Sequence, residues 1–394
     1  MKLRIAPFLL AALLCGCGKT APAPAPKPAA AERSAAPQLD PVPHQRDADD
    51  SARFLAGLPG KPGSPFLELE STEAWQEHRK LLDEAWSKAD EALLQGLGEF
   101  QKKELNGPPF DRSILFYPFG GPDALTATVC FPRSPIYVLV ALEPAGTFPT
   151  AAQMQKKTKL APYLAGIRET VASELGRSFF VTREMDRQLR GQVTDGVLIP
   201  ILHLLVRTNH TILGYRYTRL DEKGQVEERP ANVPVNGAFP NKGVEIDFQS
   251  DADQSVHQLR YFRVNLADPQ VRGNKGFHQY VASLKGATTL LKATSYMTHH
   301  PEFSLIRGLV LDNSGAILQD DSGIPYKLFK SDVWNVQLYG DYTKPYGSFQ
   351  WLEQPDLRKA YKAGGAKPLS MHVGYGFQKI TSNLLLARRT ASNP

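Results

Sequence analysis

Apolar positions recur at helical spacing through the first well-patterned part of the chain. Trp75, Leu82, Trp86, Ala89, Leu93, Leu97 and Phe100 fall three, four and seven residues apart and mark a single face. Ser71-Thr72-Glu73 supplies capping residues and Gly107-Pro108-Pro109 a stop, so the pattern predicts one long helix. Short apolar runs follow at 114–119 and 126–131, joined by Gly120-Gly121-Pro122-Asp123, and a third at 136–142 ends on Glu143-Pro144. Three close runs with turn chemistry between them predict an antiparallel meander.

The pattern then turns helical over 158–175, where Leu160, Leu164, Ile167, Val171 and Leu175 share one side and Pro162 falls in the first turn. A short strand is expected at 179–182, and the continuous apolar run 197–206 fits a buried helix or a strand. Strands are expected at 211–219, 244–248 and 256–266, the last two as a hairpin with Phe262, Val264 and Leu266 on one face. Helices are expected at 274–284, 303–311 and 355–361, and strands at 333–339, 369–375 and 384–387. Hairpins mixed with helices, without regular alternation, predict an α+β body with a mainly antiparallel sheet rather than a doubly wound one.

The first fifty residues carry a different pattern. Lys2 and Arg4 precede an apolar stretch too short to span a membrane, which then meets Leu14-Cys15-Gly16-Cys17. That tetrad resembles the bacterial lipobox, with a small residue before the modified cysteine, and selects Cys17 over Cys15 as the lipidated N-terminus. An ordinary secretory signal cut between Ala21 and Ala31 is the alternative. Each buried CH₂ contributes about 0.8 kcal/mol, so several acyl chains would anchor the protein durably. Gly18 after the cysteine, rather than Asp, points to the outer membrane by the enterobacterial sorting rule. Ala and Pro dominate the next stretch, which predicts an extended tether at about 3.1 Å per residue. The expected organisation is signal peptide 1–16, lipidated tether 17–50 and globular body 51–394, with a seam suggested near 227–243 by its Pro, Asn and Gly content.

Composition narrows the function only slightly. The formal charge of +6 drops to +4 once Lys2 and Arg4 leave with the signal, and the remaining excess is dispersed. That is a solvated surface first and an attraction to anionic lipid or glycan second; without a basic patch interleaved with aromatics, nucleic acid is not expected as a partner. With Cys15 in the signal and Cys17 lipidated, Cys130 stands alone and no internal disulfide can form; its apolar setting predicts a buried, inert thiol.

Three segments carry polar groups worth weighing. Gln319-Asp320-Asp321-Ser322-Gly323-Ile324-Pro325-Tyr326 places adjacent carboxylates, a hydroxyl and a glycine turn together, which suits a ligand site or an acid and base. The simpler expectation is a turn in which Asp and Ser bond local backbone. Asp321-Ser322-Gly323 also matches the short core of aspartic proteases, although no second copy exists. Tyr117 and Asp123 lie together in the aromatic-glycine segment after the first strand, where Asp123 either faces a ligand or caps a helix; Glu143 stands at the end of another strand. His299-His300 and His203 are expected to be structural, since no metal-ligand spacing surrounds them. Nucleotide-binding and nucleophile-elbow motifs are absent, so no cofactor is expected and no catalytic residue can be assigned.

Phe116-Tyr117-Pro118-Phe119 with Gly121-Pro122-Asp123, Leu142-Glu143-Pro144, the 319–326 segment and Ser382-Asn383-Leu384-Leu385-Leu386-Ala387 together resemble a family of uncharacterised bacterial envelope proteins. The resemblance covers the body from about residue 113 onward and implies a location rather than an activity. The leading expectation is therefore a membrane-anchored protein that binds a glycan, lipid or protein partner. The competing one is a hydrolase-like enzyme with Asp320, Asp321 and Asp123 in one cleft.

Overall fold

The computed structural model describes residues 38–156, 159–180, 196–229, 242–379 and 381–390. The signal segment, Cys17 and the tether as far as residue 37 lie outside the described residues, as do 181–182 of the strand expected at 179–182 and 230–241 of the suggested seam. Phe179 and Phe180 themselves are irregular.

Ten strands build one sheet: β1 (Leu115–Pro118), β2 (Ile136–Ala141), β3 (His210–Leu220), β4 (Val226–Glu228), β5 (Lys242–Ser250), β6 (Val256–Arg263), β7 (Ala287–Leu291), β8 (Ser314–Gln319), β9 (Trp334–Gly340) and β10 (Asn383–Arg389). Their spatial order is β4-β3-β5-β6-β2-β1-β7-β8-β10-β9. The class is α+β as expected, and the outer pairings are antiparallel, including the β5–β6 hairpin. At the centre, however, β6, β2, β1, β7 and β8 run parallel. Because β3 pairs with both β4 and β5, the flanks of the suggested seam belong to one sheet.

The central strands are buried on both faces. Tyr117, Tyr137 and Leu139 enter one core and Phe116, Val138 and Val140 the other. The first core is closed by the long helical run, which consists of Glu73–Ala89, a π-helical turn Asp90–Leu94 and Gln95–Glu104, together with Leu160–Arg177 and Leu198–Arg207. Thr72 caps that run through the amide of Trp75. The second core is closed by helices Lys275–Ser283 and Ser304–Asn313, so both sheet faces are covered as parallel strands require.

The expected meander is corrected here. Residues 126–131 do not form a strand, and β1 and β2 are parallel neighbours joined by the helix Ala124–Cys130. Two parallel strands cannot be joined by a tight turn, and a helix returns the chain to the correct end. Nearly every residue of that helix is buried, which erases the polar face that would have revealed its period. Residues 369–375 are likewise not a strand; they run irregularly into a 3₁₀ turn, Gly374–Lys379. Cys130 is a free, buried thiol, and burial pushes its pKa up to about 12.

The body also begins before residue 51. The helix Arg46–Leu55 packs Ala48, Ala52, Phe54 and Leu55 into the first core, and Asp49 accepts the backbone amide of Ile212 at 3.0 Å. Ahead of it, residues 38–45 lie as a strap on the sheet. The amide of Val42 donates to Asp247 at 2.8 Å, the Gln45 amide to Leu213 at 2.7 Å and the Arg260 guanidinium to the Gln38 carbonyl at 2.6 Å. Beneath the strap is a buried ionic cluster in which Glu245 pairs with Arg216 at 2.6 Å and Arg260 at 2.8 Å. The run of charge from His44 to Asp50 therefore belongs to an amphipathic helix and its lead-in, not to a tether.

Candidate functional site

The parallel centre of the sheet contains a reversal. β1 leads through Ala124–Cys130 on the first-core face to β2 on one side, whereas β7 leads through Ser304–Asn313 on the opposite face to β8 on the other. The loops after β1 and β7 therefore diverge and leave a crevice at the carboxyl ends of the strands, where open sheets of this kind bind ligands. A cavity of about 180 Å³ occupies that position. It is of the same order as the ~150 Å³ that accepts benzene in an engineered core.

Phe119, Phe179, Phe180 and Phe303 form aromatic walls, and the exposed side chains of Leu142 and Met297 lie at the rim. Polar groups enter from Tyr117, Asp123, Glu143, Asn265 and Lys292. The loop after β1 is shaped by sterics. Gly120 lies flat on the ring of Tyr117, where an added Cβ would stand 2.6 Å from the ring.

Three ionisable groups meet at the buried side of the cavity. Lys292, directly after β7, places its Nζ 2.8 Å from Asp123 and 3.1 Å from Glu174, and donates to Thr126 Oγ1 at 2.8 Å. Asp123 caps the helix Ala124–Cys130 by accepting the amide of Thr126 at 2.9 Å, and its other oxygen accepts the Tyr117 hydroxyl at 2.8 Å. Glu174 is fully buried on the helix Leu160–Arg177. Two carboxylates thus share one ammonium. Burial, reinforced by the charge of Asp123, pushes Glu174 up to about 8. Burial disfavours the charge on Lys292, but Asp123 and Glu174 outweigh it and hold the ammonium above its ordinary range. Burial and the neighbouring Asp123 raise the Tyr117 phenol, which stays a donor.

The backbone around the cavity is strained. Phe119 after β1, and Ala293, Ser295 and Tyr296 after β7, all have φ between 50° and 64°, a region that side chains other than glycine rarely occupy. Such conformations persist only where the surroundings over-determine them, and they concentrate at binding sites.

The 319–326 segment supplies that constraint. Asp320 accepts the amide of Ala293 at 2.8 Å and both the amide and hydroxyl of Ser322, while Ser322 Oγ accepts the amide of Thr294 at 2.8 Å. Asp321 accepts the Tyr296 hydroxyl at 2.5 Å and the Asn383 amide at 3.0 Å. Burial, then the charge of Asp320, raises Asp321 to about 7. Neither aspartate lines the cavity; they brace the loop that does. Tyr326 lies apart, half-buried against the second core, with its amide donating to Gln354. The proposed cleft of Asp320, Asp321 and Asp123 is therefore not assembled as a wall, whereas Tyr117, Asp123 and Glu143 do meet.

His203 is buried and accepts the indole N–H of Trp86 at 3.0 Å, as suits a core histidine. Burial lowers His299 to about 4. Among the described residues no group of three or more His, Cys, Asp or Glu side chains is placed to hold a metal. Sequence reasoning passed over Lys292 and Glu174. Glu174 carried a signal, since it falls three residues after Val171 and seven after Ile167 on the apolar stripe of its helix. Compared with known protein families, curated proteins and solved structures, the chain has no match.

Proposed function

We propose that this chain is an envelope lipoprotein, anchored through Cys17, whose body binds a small organic ligand in the cavity at the ends of β1 and β7. The observation that supports the binding reading is the coincidence of that cavity with the point where the sheet reverses, walled by two loops held in strained conformations. A concave, aromatic-lined cavity favours the glycan or lipid side of the expected partners over a protein surface. Non-catalytic binding is the simpler reading because Asp320 is committed to the backbone amides of Ala293 and Ser322, and Asp321 to the side chains of Tyr296 and Asn383. Among the described residues no helix is long and apolar enough to span a membrane, and the attachment proposed is lipid on Cys17, on the strength of the Leu14-Cys15-Gly16-Cys17 tetrad.

The anchor is tested by feeding cells an alkyne-tagged fatty acid. The wild type and a Cys15→Ser variant should incorporate label and partition with membranes, while Cys17→Ser should do neither. Label retained in Cys17→Ser would overturn the assignment.

A further inference from the structure

Resting on the cavity-binding reading, we infer that the ligand is a hydrocarbon chain, such as the acyl end of a lipid, with its tail in the cavity and its head group left outside. The polar side chains of the wall are already spent within the fold. Lys292 directs its ammonium to Asp123, Glu174 and Thr126. Asp123 is filled by that ammonium, the Tyr117 hydroxyl and the Thr126 amide. Thr294 gives its hydroxyl proton to the Ser322 carbonyl, Ser295 pairs its hydroxyl with that of Tyr375, and Glu143 is engaged as well.

The backbone is spent in the same way. Crevices at the reversal point of a sheet commonly hold phosphate on free loop amides. Here the amides of Ala293, Thr294 and Ser295, on the strained loop, donate instead to Asp320, Ser322 Oγ and the Tyr375 hydroxyl. A sugar needs a partner for each hydroxyl it brings out of water and a charged head needs a counter-charge, and these groups have neither to spare. What the cavity offers in quantity is apolar surface. The phenylalanine walls continue outward through the exposed side chains of Leu142 and Met297. A space of the order that accepts benzene holds a tail of about six carbons, and a longer chain would run on over that rim.

The test titrates butanol, hexanol, octanol, hexylamine, hexanoate and glucose into the purified full chain. The readout is methyl NMR of its methionines, with Met297 assigned through Met297→Leu. Hexanol should bind about fifteenfold more tightly than butanol, or roughly fourfold per added methylene. Hexylamine and hexanoate should bind within about fivefold of hexanol, because their heads stay in water, and glucose should leave Met297 unshifted. Leu142→Asn, at an exposed position, should remove the advantage of octanol over hexanol and leave butanol unchanged. Affinity that is flat from butanol to octanol, a preference of about tenfold or more for one head group, or glucose binding more tightly than hexanol would overturn the hydrocarbon inference and leave the cavity reading standing. An octanol advantage that survives Leu142→Asn would overturn the path over the rim. No shift of Met297 by any probe would overturn both the inference and the cavity reading.

Discussion

Two buried ionic clusters sit in this fold, and they are built on opposite principles. Under the strap, Arg216 and Arg260 both pair with Glu245 and Arg216 reaches Asp40 of the strap as well, so that two guanidiniums meet two carboxylates. Every group there is engaged by the chain itself, down to the backbone of residues 38–45. Beside the cavity, one ammonium faces two carboxylates, and burial with the charge of Asp123 raises the proton affinity of Glu174. A balanced cluster closes on itself and serves the fold. An unbalanced one keeps a charge state that something else can change, and this one lies against empty space.

The contrast can be broken experimentally, most strongly at the balanced end. Glu245→Ala leaves two buried guanidiniums facing each other and should cost about 3–5 kcal/mol, read as a lower urea midpoint. If it costs less than 1 kcal/mol, the strap cluster is not a closed unit. Lys292→Met should cost less, about 2–3 kcal/mol at pH 8, because the two carboxyls it abandons can take up protons instead. The penalty should fade by pH 4, and an equal cost at both pH values would refute a proton-buffered cluster.

The smallest effect is the most diagnostic. Glu174 has a raised pKa in the folded state, so the folded chain binds the extra proton between the ordinary carboxyl range near 4.5 and about 8. Its contribution to stability is complete below that window and is lost as pH rises through the folded value. Glu174→Gln removes this dependence, and the variant should gain on the order of 1 kcal/mol over wild type at pH 8 and little at pH 5. Matching pH profiles in the two proteins would show that Glu174 is already ionised.

Much of the fold was legible from periodicity. The long helix through Trp75, Trp86 and Phe100 shows one wet face and one dry face, which is what a period records, and the hairpin through Phe262 was legible as two apolar runs although its strands are buried on both faces. Strand direction leaves no such trace, so the parallel pairing of β1 with β2 could not be read. β7 was missed because Ala287-Thr288-Thr289-Leu290-Leu291 is short and buried on both faces, and with it went Lys292, a lone charge after an apolar run. Tyr117, Asp123 and Glu143 stood out because polar groups in turn segments after strands are exposed to inspection. Asp320 and Asp321 stood out as well, but adjacency in sequence does not say whether a carboxylate faces a ligand or a neighbouring loop. That is settled by which donors of the fold lie within reach, backbone amides for Asp320 and the Tyr296 and Asn383 side chains for Asp321.

The strap has a mechanical consequence. A pull applied immediately ahead of residue 38 falls on residues 38–45, and their contacts are spread over β3, β5 and β6 rather than placed at one point. Load applied along such a segment strains several hydrogen bonds together instead of opening them in turn. The protein would resist being dragged from its own leading end as a lap joint does, with Arg216 and Arg260 as the rivets beneath it.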